Sequence, residues 1–174
     1  NLVESNDSCI YGIREGSYPY YGRLYKFDYK TGVFSQEYLF NQTTYPQKNF
    51  RNLFIYKKNL FVTANNQFSS HTNTSQSVLV KLNLNQNPVS VSSTFQFIDS
   101  LHGGIPRGRL KMNANYELIG ALFQGANNEA GSLFRIDTNL TTVAVNKPFS
   151  KISSSELEKV YQVNLFTPFR LIQK

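Results

Sequence analysis

One short pattern occurs three times along the chain and constrains its fold more than any other feature. The copies are Gly22-Arg-Leu-Tyr-Lys-Phe-Asp28, Ser77-Val-Leu-Val-Lys-Leu-Asn83 and Gly131-Ser-Leu-Phe-Arg-Ile-Asp137. Each runs small, variable, Leu, apolar, basic, apolar, Asp or Asn. Leu24, Leu79 and Leu133 recur about every 54 residues, a spacing found in propeller blades. The pairs Tyr25/Phe27, Val80/Leu82 and Phe134/Ile136 share a face at period two with a basic residue between them, which predicts half-buried strands.

What flanks the pattern recurs as well. Asp28, Asn83 and Asp137 open polar turns, where Asx side chains bond their own downstream backbone. A further strand follows each turn, Val33 to Phe40, Val89 to Phe97 and Thr142 to Phe149, closing on Phe each time. Upstream lie Asn6-Asp-Ser-Cys-Ile-Tyr-Gly12, Lys57-Lys-Asn-Leu-Phe-Val62 and Asn113-Ala-Asn-Tyr-Glu-Leu-Ile-Gly120, a polar turn leading into an apolar strand. Before the second and third copies come apolar strands at Leu53 to Tyr56 and Arg109 to Met112. One unit therefore reads strand, turn, strand, variable loop, strand, turn, strand. The predicted fold is all-β: a propeller-like array of about three four-stranded antiparallel blades within a larger ring. Residues 1–174 form one repeat-built domain, with units at roughly 6–56, 57–112 and 113–174. The chain is expected to begin at a unit's second strand and to run, through residues 161–172, into the opening strands of a fourth unit. The variable loops, Arg14 to Tyr21, Ala64 to Gln76 and Phe123 to Ala130, should emerge on one face. Ser155-Glu-Leu-Glu158 fits a capping box and a short helical turn.

Composition agrees with strands. The chain holds 11 Tyr and 14 Phe, while Ala and Glu, the favoured residues of exposed helices, are sparse. The net charge of +7 comes from scattered Lys and Arg, with Lys57-Lys58 the one adjacent pair. No RNA-binding signature, zinc-finger spacing or basic helix accompanies it, so no nucleic-acid partner is expected. No apolar run reaches the ~18 residues of a membrane span. A single cysteine, Cys9, excludes an internal disulfide; its apolar setting predicts a buried small hydrophobe. Sequons begin at Asn6, Asn41, Asn73 and Asn139, and would carry glycan only in a eukaryotic secreted protein.

Residues suited to catalysis are few. His102 stands in Leu-His-Gly-Gly104 with Asp99 the only acid nearby, and His71 lies in a Ser/Thr/Asn loop. Acid–base work needs an oriented partner that neither has. Gly103 to Gly108, which includes Arg107, lacks the ending of a phosphate loop and reads as a connection between blades. No metal-ligand or calcium-loop spacing occurs, so neither a metal nor another cofactor is expected. The candidate binding residues are the loop aromatics Tyr18, Tyr20 and Tyr21, which can stack on sugars or anchor a protein, together with His102 and Arg107.

The turn, the "LYG" strand, the Gly/Asn-rich loop, "G-x-L/V-F-K/R-I/L-D" and the terminal Phe together resemble the choice-of-anchor, or GloVer, tandem repeats of bacterial surface and exported proteins. The best match runs from Glu117 through Gly131-Ser-Leu-Phe-Arg-Ile-Asp137 to Phe149; the middle copy departs from it at Ser77 and Asn83. The resemblance implies a propeller-like fold and an exported location: periplasm, outer membrane or cell surface. It carries no catalytic residues. The expected function is a non-catalytic interaction or scaffold module, a subunit or segment of a larger envelope assembly with protein partners. The alternative is a carbohydrate-binding or glycan-active propeller that uses its loop aromatics.

Overall fold

The computed structural model describes residues 2–5, 7–16, 20–41, 49–65, 77–97, 104–124, 132–141 and 143–148. These residues contain twelve strands and no helix. The strands form three separate antiparallel sheets, each built from four successive strands in chain order. Sheet 1 holds β1 (Leu2–Ser5), β2 (Cys9–Glu15), β3 (Tyr20–Asp28) and β4 (Val33–Asn41). Sheet 2 holds β5 (Asn49–Tyr56), β6 (Asn59–Asn65), β7 (Ser77–Asn83) and β8 (Ser90–Phe97). Sheet 3 holds β9 (Gly104–Met112), β10 (Glu117–Gln124), β11 (Ser132–Asp137) and β12 (Val143–Pro148). All three sheets are open, and among the described residues their first and fourth strands have no further pairing partner.

Three expectations shift. The sheets divide between residues 41 and 49 and between 97 and 104, one strand upstream of the sequence units, so the same period is cut at a different point. The chain enters on a first strand, β1, rather than a second; four residues are too few for alternation to show. Gly104 to Gly108 is strand and not connection, because β9 starts at Gly104 and tolerates its glycines at a bulge. Gly108 sits there at φ +83°, a conformation open to glycine and costly for other residues. Ser155, Phe149 and the segment 161–172 lie outside the described residues, as do most residues of the variable loops.

The turns fold as their residues require. Asp28 Oδ1 accepts hydrogen bonds from the N–H groups of Lys30 (2.9 Å) and Thr31 (3.2 Å). Asn83 Oδ1 accepts from Asn85 N–H (2.9 Å), and Asp137 Oδ1 from Asn139 and Thr141 N–H (2.7 and 3.2 Å). These are the Asx turns predicted from sequence. Gly32, at φ +72°, completes the first of them by donating to the Asp28 carbonyl at 2.8 Å. The first hairpin of each sheet instead turns on Ser8, Lys57 or Tyr116, all at positive φ. Within a sheet the two hairpin turns lie side by side, joined by Tyr29 N–H to Ser8 O in sheet 1 and Leu84 N–H to Lys58 O in sheet 2.

The sheets stack in chain order, and pairing registers make their strands comparable. Cys9 faces Asp28, Asn59 faces Asn83 and Glu117 faces Asp137, so Ile10, Leu60 and Leu118 are equivalent, as are Tyr11, Phe61 and Ile119. One core joins Cys9, Tyr11 and Leu24 of sheet 1 to Leu60, Val62, Val80 and Leu82 of sheet 2. A second core joins Phe61, Leu79 and Phe97 of sheet 2 to Leu118, Leu122, Phe134 and Ile136 of sheet 3. The packing is head to tail: the face carrying Tyr11 or Phe61 always meets the face carrying Leu60 or Leu118. Sheet 2 is consequently apolar on both sides, and every described side chain of β6 from Leu60 to Asn65 is buried. Among the described residues the sheets approach one another chiefly along their first strands, β1, β5 and β9.

All three fourth strands carry a pairing irregularity, opposite Leu24/Tyr25, Lys81/Leu82 and Leu133/Arg135. Bulged outer edges resist edge-to-edge pairing with another sheet.

Candidate interaction surface

The sequence-derived binding residues do not assemble into one site. Tyr18 and His102 lie outside the described residues. Tyr20 opens β3 opposite Asn41, and Arg107 lies within β9 opposite Ala121; their side chains are not described. Tyr21 is a correction. It is only 8% exposed and belongs to the core between sheets 1 and 2, so it is not a loop aromatic free to stack on a sugar. β3 extends further than the loop reading allowed, and an aromatic beside Gly22 is drawn inward.

The Cys9 expectation holds. The thiol is buried, and desolvation pushes its pKa above the usual cysteine range, the direction of an unreactive sulfhydryl. The Tyr11 phenol is also pushed up by burial. Asp7 and Asp28 move the other way. The Lys58 ammonium bonded to Asp7 holds that carboxyl low, and the Thr31 and Lys30 amides do the same for Asp28. Both are anions fixed in turns, unsuited to donating a proton near neutral pH. Among the described residues no group of three or more His, Cys, Asp or Glu side chains is placed to hold a metal.

Two contacts join neighbouring sheets at their turn end. Lys58 bridges from sheet 2 to Asp7 of sheet 1, and Tyr56 of sheet 2 packs on Tyr116 of sheet 3 at 5.9 Å between centroids. The Lys57 ammonium lies 5.2 Å from the Tyr56 ring. Such contacts tie neighbouring sheets together at that end of the stack.

The surface that stands out is the outer face of sheet 1. Leu2, Gly12 and Tyr25 lie opposite one another across β1, β2 and β3, and Ile10, Phe27 and Phe34 across β2, β3 and β4. Leu2 is 78% exposed, Phe34 65% and Phe27 38%. These six residues line a shallow groove of about 240 Å³. Tyr25 stacks on Phe34 at 5.1 Å and 20°, an aromatic pair resting on the surface. Contiguous exposed apolar area of this kind marks an interaction site on soluble proteins.

The register explains why these residues are apolar. Tyr25 and Phe27 are equivalent to Val80 and Leu82 and to Phe134 and Ile136, all four of which are fully buried. In sheets 2 and 3 this face is covered by the preceding sheet. In sheet 1 no other sheet covers it among the described residues. The sequence put Tyr25 and Phe27 on one face correctly but could not tell that the face points outward. One difference is present in the sequence: the cross-strand pair Phe27/Phe34 is aromatic where the other copies have Leu82/Val91 and Ile136/Val143.

No protein-family model matches the sequence, and no curated protein sequence matches it.

Proposed function

We propose that this chain is a non-catalytic interaction module, a propeller-like array that works as part of a larger assembly. The observation carrying the proposal is the exposed outer face of sheet 1, apolar at the positions its sister sheets use for packing. Head-to-tail stacking, closest along the first strands, supports a radial arrangement such as a propeller has. The three sheets of the described residues fall short of the 4–8 blades that close a ring, and an open stack leaves end faces to be covered. The likeness to choice-of-anchor repeats adds an exported, envelope-associated setting to the proposal.

The test is the mass of the protein released gently from its source. Recovery in a stoichiometric complex heavier than the protein itself, with no turnover of glycoside, ester or peptide substrates, is the expected result. Recovery alone at its own mass, or catalysis lost on substituting Asp99, would overturn the reading.

A further inference from the structure

Two arginines of sheet 1 stand where the sister sheets have buried residues. Arg14 of β2 lies directly opposite Arg23 of β3. The pairing registers make this pair equivalent to Ala64/Val78 of sheet 2 and to Leu122/Ser132 of sheet 3. Those four residues are between 0% and 7% exposed, whereas Arg14 and Arg23 are both exposed. A sheet packed here as sheet 1 packs on sheet 2 would bury two guanidinium groups side by side.

Like charges set directly opposite one another destabilise a strand pair. Among the described residues no carboxylate answers this one: the ion pairs there are Lys58 with Asp7 and Arg135 with Glu117. Residues 16–19, which join β2 to β3, are Gly-Ser-Tyr-Pro and bring no acid. Glu15, next along β2, falls on the other face by alternation.

The pair borders the apolar groove, of which Arg14 is a lining residue. Along β3 the face runs Phe27, Tyr25, Arg23, and along β2 it runs Ile10, Gly12, Arg14. It is therefore apolar over most of its length and doubly cationic at one end. Glu4 lies opposite Ile10 at the far end, where Tyr29 Oη donates to it at 3.2 Å.

We propose that this face docks a partner protein through a strand that presents apolar, apolar and acidic residues at alternate positions, its carboxylates meeting Arg14 and Arg23. Packed sheets keep their strands roughly aligned, so the partner's period of two matches that of β2 and β3. A carboxylate accepts from a guanidinium through two parallel bonds, and its charge relieves the repulsion between the arginines. Sheet 3 of a second copy would bring the wrong sign. Leu110 and Met112 enter the core, so Arg109 and Lys111 alternate outward beside Arg135, against the single acid Glu117 among the described residues there. The inference rests on the interaction-module reading and gives the chemistry of the partner for that surface.

The experiment selects binders of the isolated full chain from a phage-displayed library of random peptides, then remakes them with a fluorophore for anisotropy titration. Enriched peptides should carry Asp or Glu at alternate spacing from apolar residues, and their affinity should fall as salt rises. Affinity should drop about tenfold or more in Arg14→Glu/Arg23→Glu and about 30-fold in Phe34→Asp. Peptides remade with Lys in place of the acid should bind the doubly reversed variant better than the wild type. Arg14→Glu alone guards against misfolding: it turns the like pair into an opposite one, so its thermal midpoint should not fall while peptide affinity does. Enrichment of neutral or basic peptides, indifference to both arginines, or no gain for the Lys peptides would each overturn the proposal. So would binding to phosphatidylserine vesicles, lost in the same variants, with no acidic peptide selected, which assigns the face to lipid. A wild-type dimer abolished by Phe34→Asp would overturn it too, by assigning the face to a second copy. A chain that leaves its source in a heavier complex regardless of both arginines loses only this inference and keeps the broader reading.

Discussion

Sheets 2 and 3 solve one packing problem with two different residue pairs, and exchanging the pairs measures how tightly the sheets fit. Val62 faces Val80 in sheet 2, where Gly120 faces Phe134 in sheet 3. In Gly120→Val the new Cβ would lie 2.4 Å from the Phe134 ring and 3.1 Å from Leu110, against the ~3.5–4.0 Å of an ordinary carbon contact. The ring would have to retreat by ~1 Å or more. It cannot do so freely, since Phe134 is fully buried and backed by Phe97. Overpacking of this kind costs about 1–3 kcal/mol, and the rigid backing places this case near 3. Phe134→Val removes most of a buried ring and costs roughly 2–3 kcal/mol, a little less than truncation to alanine. In the double variant the clash is gone and the pair becomes that of sheet 2. Its cost should stay near that of Phe134→Val alone, giving a favourable coupling of about 3 kcal/mol, the whole cost of Gly120→Val. Urea unfolding followed by far-UV circular dichroism suits a chain without tryptophan. Additivity of the two single changes within ~0.5 kcal/mol would refute the account of Gly120 as a seat for the ring.

Three further outcomes are expected. Asp137→Ala should cost about 1–2 kcal/mol, because its carboxylate accepts from two backbone amides and from Thr141 Oγ1 at 2.6 Å; Asp137→Asn, which copies Asn83, should recover most of this on chemical denaturation. Asp7 and Asp28 have folded pKa values below their unfolded ones, so their stabilisation is complete above the unfolded value, ~3.9, and is lost as pH falls through the folded value. Thermal midpoints should therefore drop on acidification below about pH 4, and drop less in Asp7→Asn, whose exposed pair with Lys58 is worth only ~0.2–1 kcal/mol; an equal acid response in that variant would contradict the assignment. Cys9 should react with a thiol reagent at a rate that tracks unfolding, and rapid labelling of the native protein would contradict its burial.

The turns and pairings were readable because they are local. Asp28, Asn83 and Asp137 announce Asx turns by their own chemistry, and alternation places Val80 with Leu82 and Phe134 with Ile136. What alternation cannot supply is which face of a strand finds cover. Phe27 and Ile136 occupy equivalent positions, yet one is exposed and the other fully buried, because coverage depends on a neighbouring sheet and not on the strand. Tyr21 was misplaced for a related reason: a tyrosine next to Tyr18-Pro-Tyr20 looks like a loop until the strand's pairing partner is known. β1 escaped notice through brevity, and β9 through glycines that an irregular strand accommodates.

The two-sided burial of sheet 2 implies an uneven distribution of resistance to opening. Leu60 and Phe61 are adjacent on β6 yet belong to different cores, so that strand cannot detach without disrupting both. Sheets 1 and 3 are each held to the rest by one of those cores. In a nearest-neighbour stack the end members open first and the middle last, so amide exchange should be slowest along β6 and β7 and quicken toward both flanks. A chain of this design gains rigidity by acquiring neighbours. Whatever settles on the Gly12 groove would turn sheet 1 from a fraying terminus into an interior layer, and slower exchange along β2 and β3 would record its arrival.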